Sequence, residues 1–267
     1  MKLLVIMGSP RKGNTYRACE ELCAYLRQDD AVECDYLWLK DANLLPCRGC
    51  FVCFTRGEDA CPNKDDAPAI EQKMRDADGV LFASPVYGMN VSGLMKNFID
   101  RFSYLFHRPR FFDKKAFLLA TAGAIGQKDV LRYMDTVATG WGFEVAGRAG
   151  LITPPGILSP RQARKNNVLL QKAAKDFSAA LQRKKRKRPG LMDVIIFHSQ
   201  RGVFSQLEKE SPCDYHYWND LGWLSPGARY FVDVPVNPLY LAIGRIAGWM
   251  ARRRTRKDQV QGTGDAG

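Results

Sequence analysis

Over residues 1–183 the chain alternates short, continuous apolar runs with longer segments in which apolar positions recur every three to four residues. Continuous runs suit strands buried on both faces, and the longer periodic segments suit helices that cover them. The pattern predicts strands at 2–7, 32–39, 79–83, 115–121 and 144–152. Helices are predicted at 15–27, 67–75, 92–105, 129–139 and 160–182. Segment 92–105 illustrates the periodicity, since Leu94, Met95, Phe98, Ile99, Phe102 and Leu105 share one core-facing stripe. Such a stripe is structural and carries no chemistry by itself.

Five strands alternating with five helices predict an α/β fold, a doubly wound five-stranded parallel sheet of the flavodoxin-like order. A basic run followed by Pro189-Gly190 then marks a change of composition. We therefore expect a domain over 1–183, a basic linker at 184–190, a mainly helical C-terminal extension over 191–256 and a disordered tail at 257–267. Helical patterns within the extension cover 192–208 and 238–252. Its apolar segment 239–250 is interrupted by Arg245 and falls well short of the roughly 20 residues that cross a bilayer. No repeat of fixed period occurs.

A formal charge of +12 suggests a polyanionic partner until it is located along the chain. Arg183, Lys184, Lys185, Arg186, Lys187 and Arg188 form one run, and Arg252, Arg253, Arg254, Arg256 and Lys257 form another, so the remainder is close to neutral. Basic runs without a recognition fold argue against nucleic acid. The second run follows Leu239, Leu241, Ile243 and Trp249, which suits either peripheral contact with anionic lipid or an arm that packs on a partner. Residues 1–7 lack the long apolar stretch and cleavage site of a signal peptide, so a cytoplasmic protein is expected.

Chemistry is expected first in the loop Gly8-Ser9-Pro10-Arg11-Lys12-Gly13-Asn14-Thr15 between the first strand and its helix. Backbone N–H groups at a helix N-terminus make an anion site, to which Ser9, Asn14 and Thr15 add polar groups and Arg11 a charge. The pattern is neither a nucleoside-triphosphate loop nor a dinucleotide fingerprint. An ordinary βα turn would also use Gly and Asn here. A second loop, Ser84-Pro85-Val86-Tyr87, precedes Ser92-Gly93-Leu94-Met95-Lys96-Asn97-Phe98-Ile99-Asp100-Arg101.

With both motifs at strand ends, residues 1 to about 155 resemble the NAD(P)H-dependent FMN reductase family of flavodoxin-like proteins. The resemblance implies that Ser9, Arg11, Gly13, Asn14 and Thr15 hold the FMN phosphate. It implies that Pro85, Val86, Tyr87, Gly88 and Met89 line the flavin ring, and that Thr121, Ala122, Gly123 and Gly126 form a third loop. NAD(P)H as substrate and a homodimer or homotetramer are implied in the same way.

Eight cysteines include Cys47-x2-Cys50-x2-Cys53-x7-Cys61-Pro62, within a cysteine-rich loop at 47–61. Two successive x2 spacings, a fourth thiol and a following proline are similar to a ferredoxin run with a lengthened last gap. From the residues alone, these thiols suit a 4Fe-4S cluster, a zinc ion or a flavin pocket without metal. The resemblance to iron–sulfur flavoproteins of the same fold implies the cluster. Cys19, Cys23 and Cys34 fall on the first helix and second strand, where a thiol acts as a small apolar residue. His107, His198 and His216 are isolated and read as structural.

No Ser or His catalytic group stands out, which suits hydride transfer from NAD(P)H to a flavin, a step that needs no general acid or base. The function expected is an FMN-dependent NAD(P)H oxidoreductase that passes electrons to an acceptor the sequence does not identify. The alternative is an iron–sulfur flavoprotein carrier reduced by ferredoxin, with no small-molecule substrate.

Overall fold

Five parallel strands, β1 (Lys2–Met7), β2 (Glu33–Trp38), β3 (Gly79–Pro85), β4 (Lys115–Ala122) and β5 (Glu144–Ile152), form one sheet in the order β2-β1-β3-β4-β5. The computed structural model describes residues 1–29 and 32–264. It divides into two units, Met1–Arg48 with Asn63–Lys185 and Gly49–Pro62 with Arg186–Gly267. The cysteine-rich segment, expected within the first domain, thus groups from Gly49 onward with the C-terminal extension.

Alternation along the strands fills two cores in the first unit. Leu3, Val5, Met7, Leu81, Ala83, Phe117 and Leu119 meet Leu22 and Leu26 of α1 (Asn14–Asp29) and Leu170 and Phe177 of α6 (Pro160–Gln182). On the opposite face, Phe82 lies 6.4 Å from Phe98 of α4 (Gly93–Arg101) and 6.2 Å from Trp141, which ends α5 (Gln127–Gly140). Helix α3 (Ala67–Asp76) buries Ile70 and Met74. The helix expected at 92–105 is divided: Phe102 leaves helical geometry at the end of α4, and a separate 3-10 turn covers Ser103–Phe106. At the N-terminal sheet edge, Lys115 and Arg183 both pair with the buried Glu144, tying β4, β5 and the end of α6 together.

Cys23 and Cys34 are joined by a disulfide between α1 and β2, which corrects their reading as separate apolar thiols. Cys19 is fully buried nearby, and burial pushes its thiol pKa up.

The second unit contains the short helix α2 (Val52–Thr55), α7 (Leu191–Phe204), α8 (Pro212–Asp220) and α9 (Pro238–Gly264). Helices α7 and α9 run parallel in close contact, Val194 meeting Gly244 and Gly202 meeting Gly248 and Arg252. A Cβ on Gly248 would stand 2.5 Å from the His198 carbonyl oxygen, so glycine permits this approach. His198 is buried at the seam, as a core histidine. Burial, then Arg201 and Arg245, push its pKa down to about 4, so the ring is neutral at pH 7. Phe197, Phe204, Trp218, Trp223 and Phe231 form an aromatic core beside it. Trp223 Nε1 donates to the Phe231 carbonyl at 2.9 Å. Helix α9 continues through Gly264, so most of the expected disordered tail is helical, while 265–267 lie outside the described residues.

Candidate flavin site

The chain leaves β1 toward β2 and returns to β3 on the other side, so the strand order reverses between β1 and β3. Ligands of such sheets bind in the crevice at the carboxyl ends of the strands beside this reversal. Gly8 N–H donates to the Ala83 carbonyl at 2.8 Å across that point. A Cβ on Gly8 would stand 3.0 Å from the same oxygen and 3.1 Å from Met95 Cβ, so the two strand ends close only over glycine.

The first loop is shaped by its own polar groups. Ser9 is buried and its Oγ donates to the Arg11 carbonyl at 2.9 Å, while Gly13 N–H donates to that carbonyl at 2.8 Å. Asn14 Nδ2 donates to the Thr153 carbonyl at 3.2 Å. Thr15 Oγ1 lies buried 2.7 Å from Thr121 Oγ1, which ties the first loop to the third. The side chains of Ser9 and Thr15 therefore build the loop. Helix geometry leaves the N-terminal amides of α1 without intrahelical acceptors, so they are donors available to an anion. Arg11, Lys12 and Arg17 surround this end, and the first turn of α1 has no acidic residue. The charge balance suits a phosphate.

In the second loop Pro85 is buried at the end of β3, and Val86 N–H donates to the Thr121 carbonyl at 2.8 Å. Tyr87 and Asn90 exchange hydrogen bonds of 2.9 and 3.0 Å around Gly88 and Met89, whose φ angles are 54° and 66°. Two successive positive φ values define a type I′ turn, and Met89 adopts a backbone that costs a non-glycine residue roughly 1 kcal/mol. Ser92 fixes the base of the turn: its Oγ donates to the Gly8 carbonyl at 2.6 Å and accepts from Met95 N–H. Ser84 Oγ in turn accepts from Ser92 N–H at 3.0 Å.

Thr121 and Ala122 are buried at the end of β4, whereas Gly123 is exposed. Gly126, with φ 95°, lies against the second loop, since a Cβ there would stand 2.8 Å from Val86 Cγ1. All fourteen residues expected around the flavin thus lie on three interlocked loops or on the strand and helix ends that bound them. Tyr87, Met89 and Ile125 leave 47%, 51% and 68% of their surfaces uncovered beside the phosphate cradle. An apolar wall next to an anion site fits a planar aromatic ring with a phosphate tail. Ile125 was not singled out from the sequence, although its place between Gly123 and Gly126 was a signal.

The cysteine segment is closed at its base by residues of the first unit. Asn43 N–H donates to Asp66 Oδ2 at 2.8 Å, Leu45 N–H to Asp65 Oδ2 at 3.0 Å, and Asn63 Nδ2 to the Pro46 carbonyl at 2.8 Å. Asn97 Nδ2 of α4 donates to the Leu44 carbonyl at 2.8 Å. Arg101 binds Asp65 through Nε at 2.9 Å and Nη2 at 2.8 Å, and both side chains are buried. Burial alone would raise the Asp65 pKa, but the Arg101 guanidinium and the Ala67 and Leu45 amides outweigh it and hold the carboxyl below its ordinary value. Neither Asp65 nor Arg101 was recognised from sequence as part of this stem.

Beyond the stem, Cys47 and Cys50 are exposed and Cys53 and Cys61 half-buried. In the second unit, a Cβ on Gly57 would stand 4.0 Å from Cys213 Sγ. Among the described residues, no three of His, Cys, Asp or Glu are gathered as metal ligands. The four-thiol donor set itself suits iron–sulfur or zinc chemistry.

An iron–sulfur flavoprotein of Archaeoglobus fulgidus is 29% identical over 84% of this chain and 100% of its own length. One of Clostridioides difficile is 30% identical over 78% and 91%. The solved structure of RosB with bound 8-demethyl-8-formylriboflavin-5'-phosphate shares the fold at a TM-score of 0.55 and 15% identity, covering 68% of this chain and 79% of that one. Residues 1–153 match the sequence model of the NADPH-dependent FMN reductases, and the chain belongs to that family.

Proposed function

We propose that the chain is an FMN-dependent oxidoreductase that takes hydride from NADPH or NADH and passes the electrons to an acceptor; Cys47, Cys50, Cys53 and Cys61 would hold a 4Fe-4S cluster, which would supply single-electron transfer. The observation that carries the reading is the convergence of three bonded loops on one crevice, with a cationic end and an apolar wall. Bound FMN supplies a ring that accepts two electrons and releases them singly or in pairs. The protein's part is to hold the phosphate on the α1 amides and Arg11 and to present the ring against Val86, Tyr87 and Met89. Thr121 and Gly126 keep the second and third loops in register. The exposed wall leaves room for a nicotinamide ring, and no side chain has to move a proton. The family resemblance adds a homodimer or homotetramer in which a neighbouring chain covers the flavin.

Anaerobic addition of NADPH or NADH to the purified, flavin-loaded protein is expected to bleach the visible flavin absorbance within the mixing time of a manual assay. Bleaching by reduced ferredoxin alone would replace the enzyme with an electron carrier. Four iron and four sulfide per chain, as a cubane on four thiolates requires, are expected in anaerobic preparations. Flavin without iron would remove the cluster.

The loop junction gives a separate test. Gly126→Ala places a Cβ on a backbone with φ 95° and against Val86. Strain of about 1–3 kcal/mol in the loops should weaken FMN binding by roughly ten- to hundredfold in a fluorescence titration. Unchanged affinity would detach the third loop from the flavin.

A further inference from the structure

Helix α9 has two unlike sides. One carries Gly244 and Gly248, buried against α7. The other, opposite it by helical spacing, carries Leu239, Ile243, Ile246 and Met250, exposed by 64%, 36%, 60% and 54%, with Trp249 at its flank exposed by 59%. One or two turns further, the same side becomes Arg253, Arg254 and Lys257, all exposed. Arg253 holds its guanidinium 5.5 Å from the Trp249 ring centre. Arg252 and Arg256 flank this end.

From this we infer that the outer side of α9 is a docking surface for an anionic lipid bilayer, with Leu239, Ile243, Ile246, Trp249 and Met250 entering the interface and the arginine run binding headgroup phosphates. The surface combines what such contact requires, an apolar stripe to insert, a ring that favours the headgroup level and cations in continuity with both. No helix among the described residues is long and apolar enough to cross a membrane, so α9 lies on the surface. A second copy is the poorer occupant. On this side of α9, parallel pairing of two helices would oppose two arginine runs, while antiparallel pairing would lay arginines over Leu239 and Ile243. Nucleic acid would satisfy the cations and leave the apolar stripe in water.

The test uses the full chain with large unilamellar vesicles of phosphatidylglycerol and phosphatidylcholine, or of phosphatidylcholine alone. The protein should sediment with the anionic vesicles, far less with the neutral ones, and be released by salt. At about fivefold per cation, Arg253→Gln, Arg254→Gln and Lys257→Gln together should lower partitioning roughly hundredfold. Ile246→Ser with Met250→Ser should weaken it with every cation in place. Both sets lie outside the α7 seam, so circular dichroism and FMN content should match wild type. Equal binding to neutral vesicles, full binding by the serine variant, or equal retention on duplex DNA would overturn the proposal. So would a dimer that dissociates in the serine variant while vesicle binding is absent in wild type.

Discussion

Arg101→Met should lower stability by about 3–5 kcal/mol, the cost of leaving one member of a buried ion pair without the other. Asp65 would then keep a fully buried carboxylate bonded only to the Leu45 and Ala67 amides. The effect should carry a pH signature. The wild-type Asp65 pKa is held below its ordinary value near 3.9, so the pair stabilises the protein above that value and its contribution is lost as pH falls through the lower folded pKa. The melting temperatures of wild type and variant should therefore differ most near neutrality and converge below about pH 4. A gap of the same size at every pH would mean that the lost stability is packing. The variant should also loosen the base of the cysteine segment, seen as faster amide exchange at Leu45 and Ala67.

A comparable loss is expected from Gly202→Ala in the second unit. The added Cβ would overlap the Gly248 carbonyl and stand 3.1 Å from Arg252 N, and both obstacles are backbone, so the helices themselves must separate. Overpacking of this kind costs about 1–3 kcal/mol, and more where backbone cannot yield. Amide exchange in α7 and α9 should accelerate, and water should reach the His198 ring. Wild-type exchange in both helices would show that the close parallel approach does not exist in solution.

The parts of this molecule that were legible in sequence are those fixed by local pattern. Strand β5 and helix α6 fall where periodicity places them, because an apolar run or stripe bounded by Gly, Pro or Ser has few other solutions. The Gly8–Thr15 and Pro85–Met89 segments were placed at strand ends for the same reason, as each is continuous in sequence. What was not legible depends on distant partners. Asp65 and Arg101 are 36 positions apart, and the Cys23–Cys34 bond spans a helix and an edge strand. Helix α8 escaped because Tyr215, Tyr217 and Trp218 interrupt any simple apolar period, its burial coming from the aromatic core. Residues 257–264 were read as a tail because Asp258, Gln259, Gln261, Gly262, Thr263 and Gly264 carry no apolar stripe, whereas α9 continues through Gly264.

The stem beneath the cysteine segment has an evolutionary corollary. Its bonds at Asn43, Leu45 and Pro46 on one side and Asn63, Asp65 and Asp66 on the other settle where the segment leaves and returns, whatever lies between. Closing a longer loop costs only about 0.6 kcal/mol for each doubling of its length. The interval between Cys53 and Cys61 is thus free to lengthen or shorten by insertion and deletion while the sheet stays untouched. A different cassette grafted between Pro46 and Asn63 would inherit the same anchorage, which makes this strand-to-helix junction a socket that accepts inserts without disturbing the sheet.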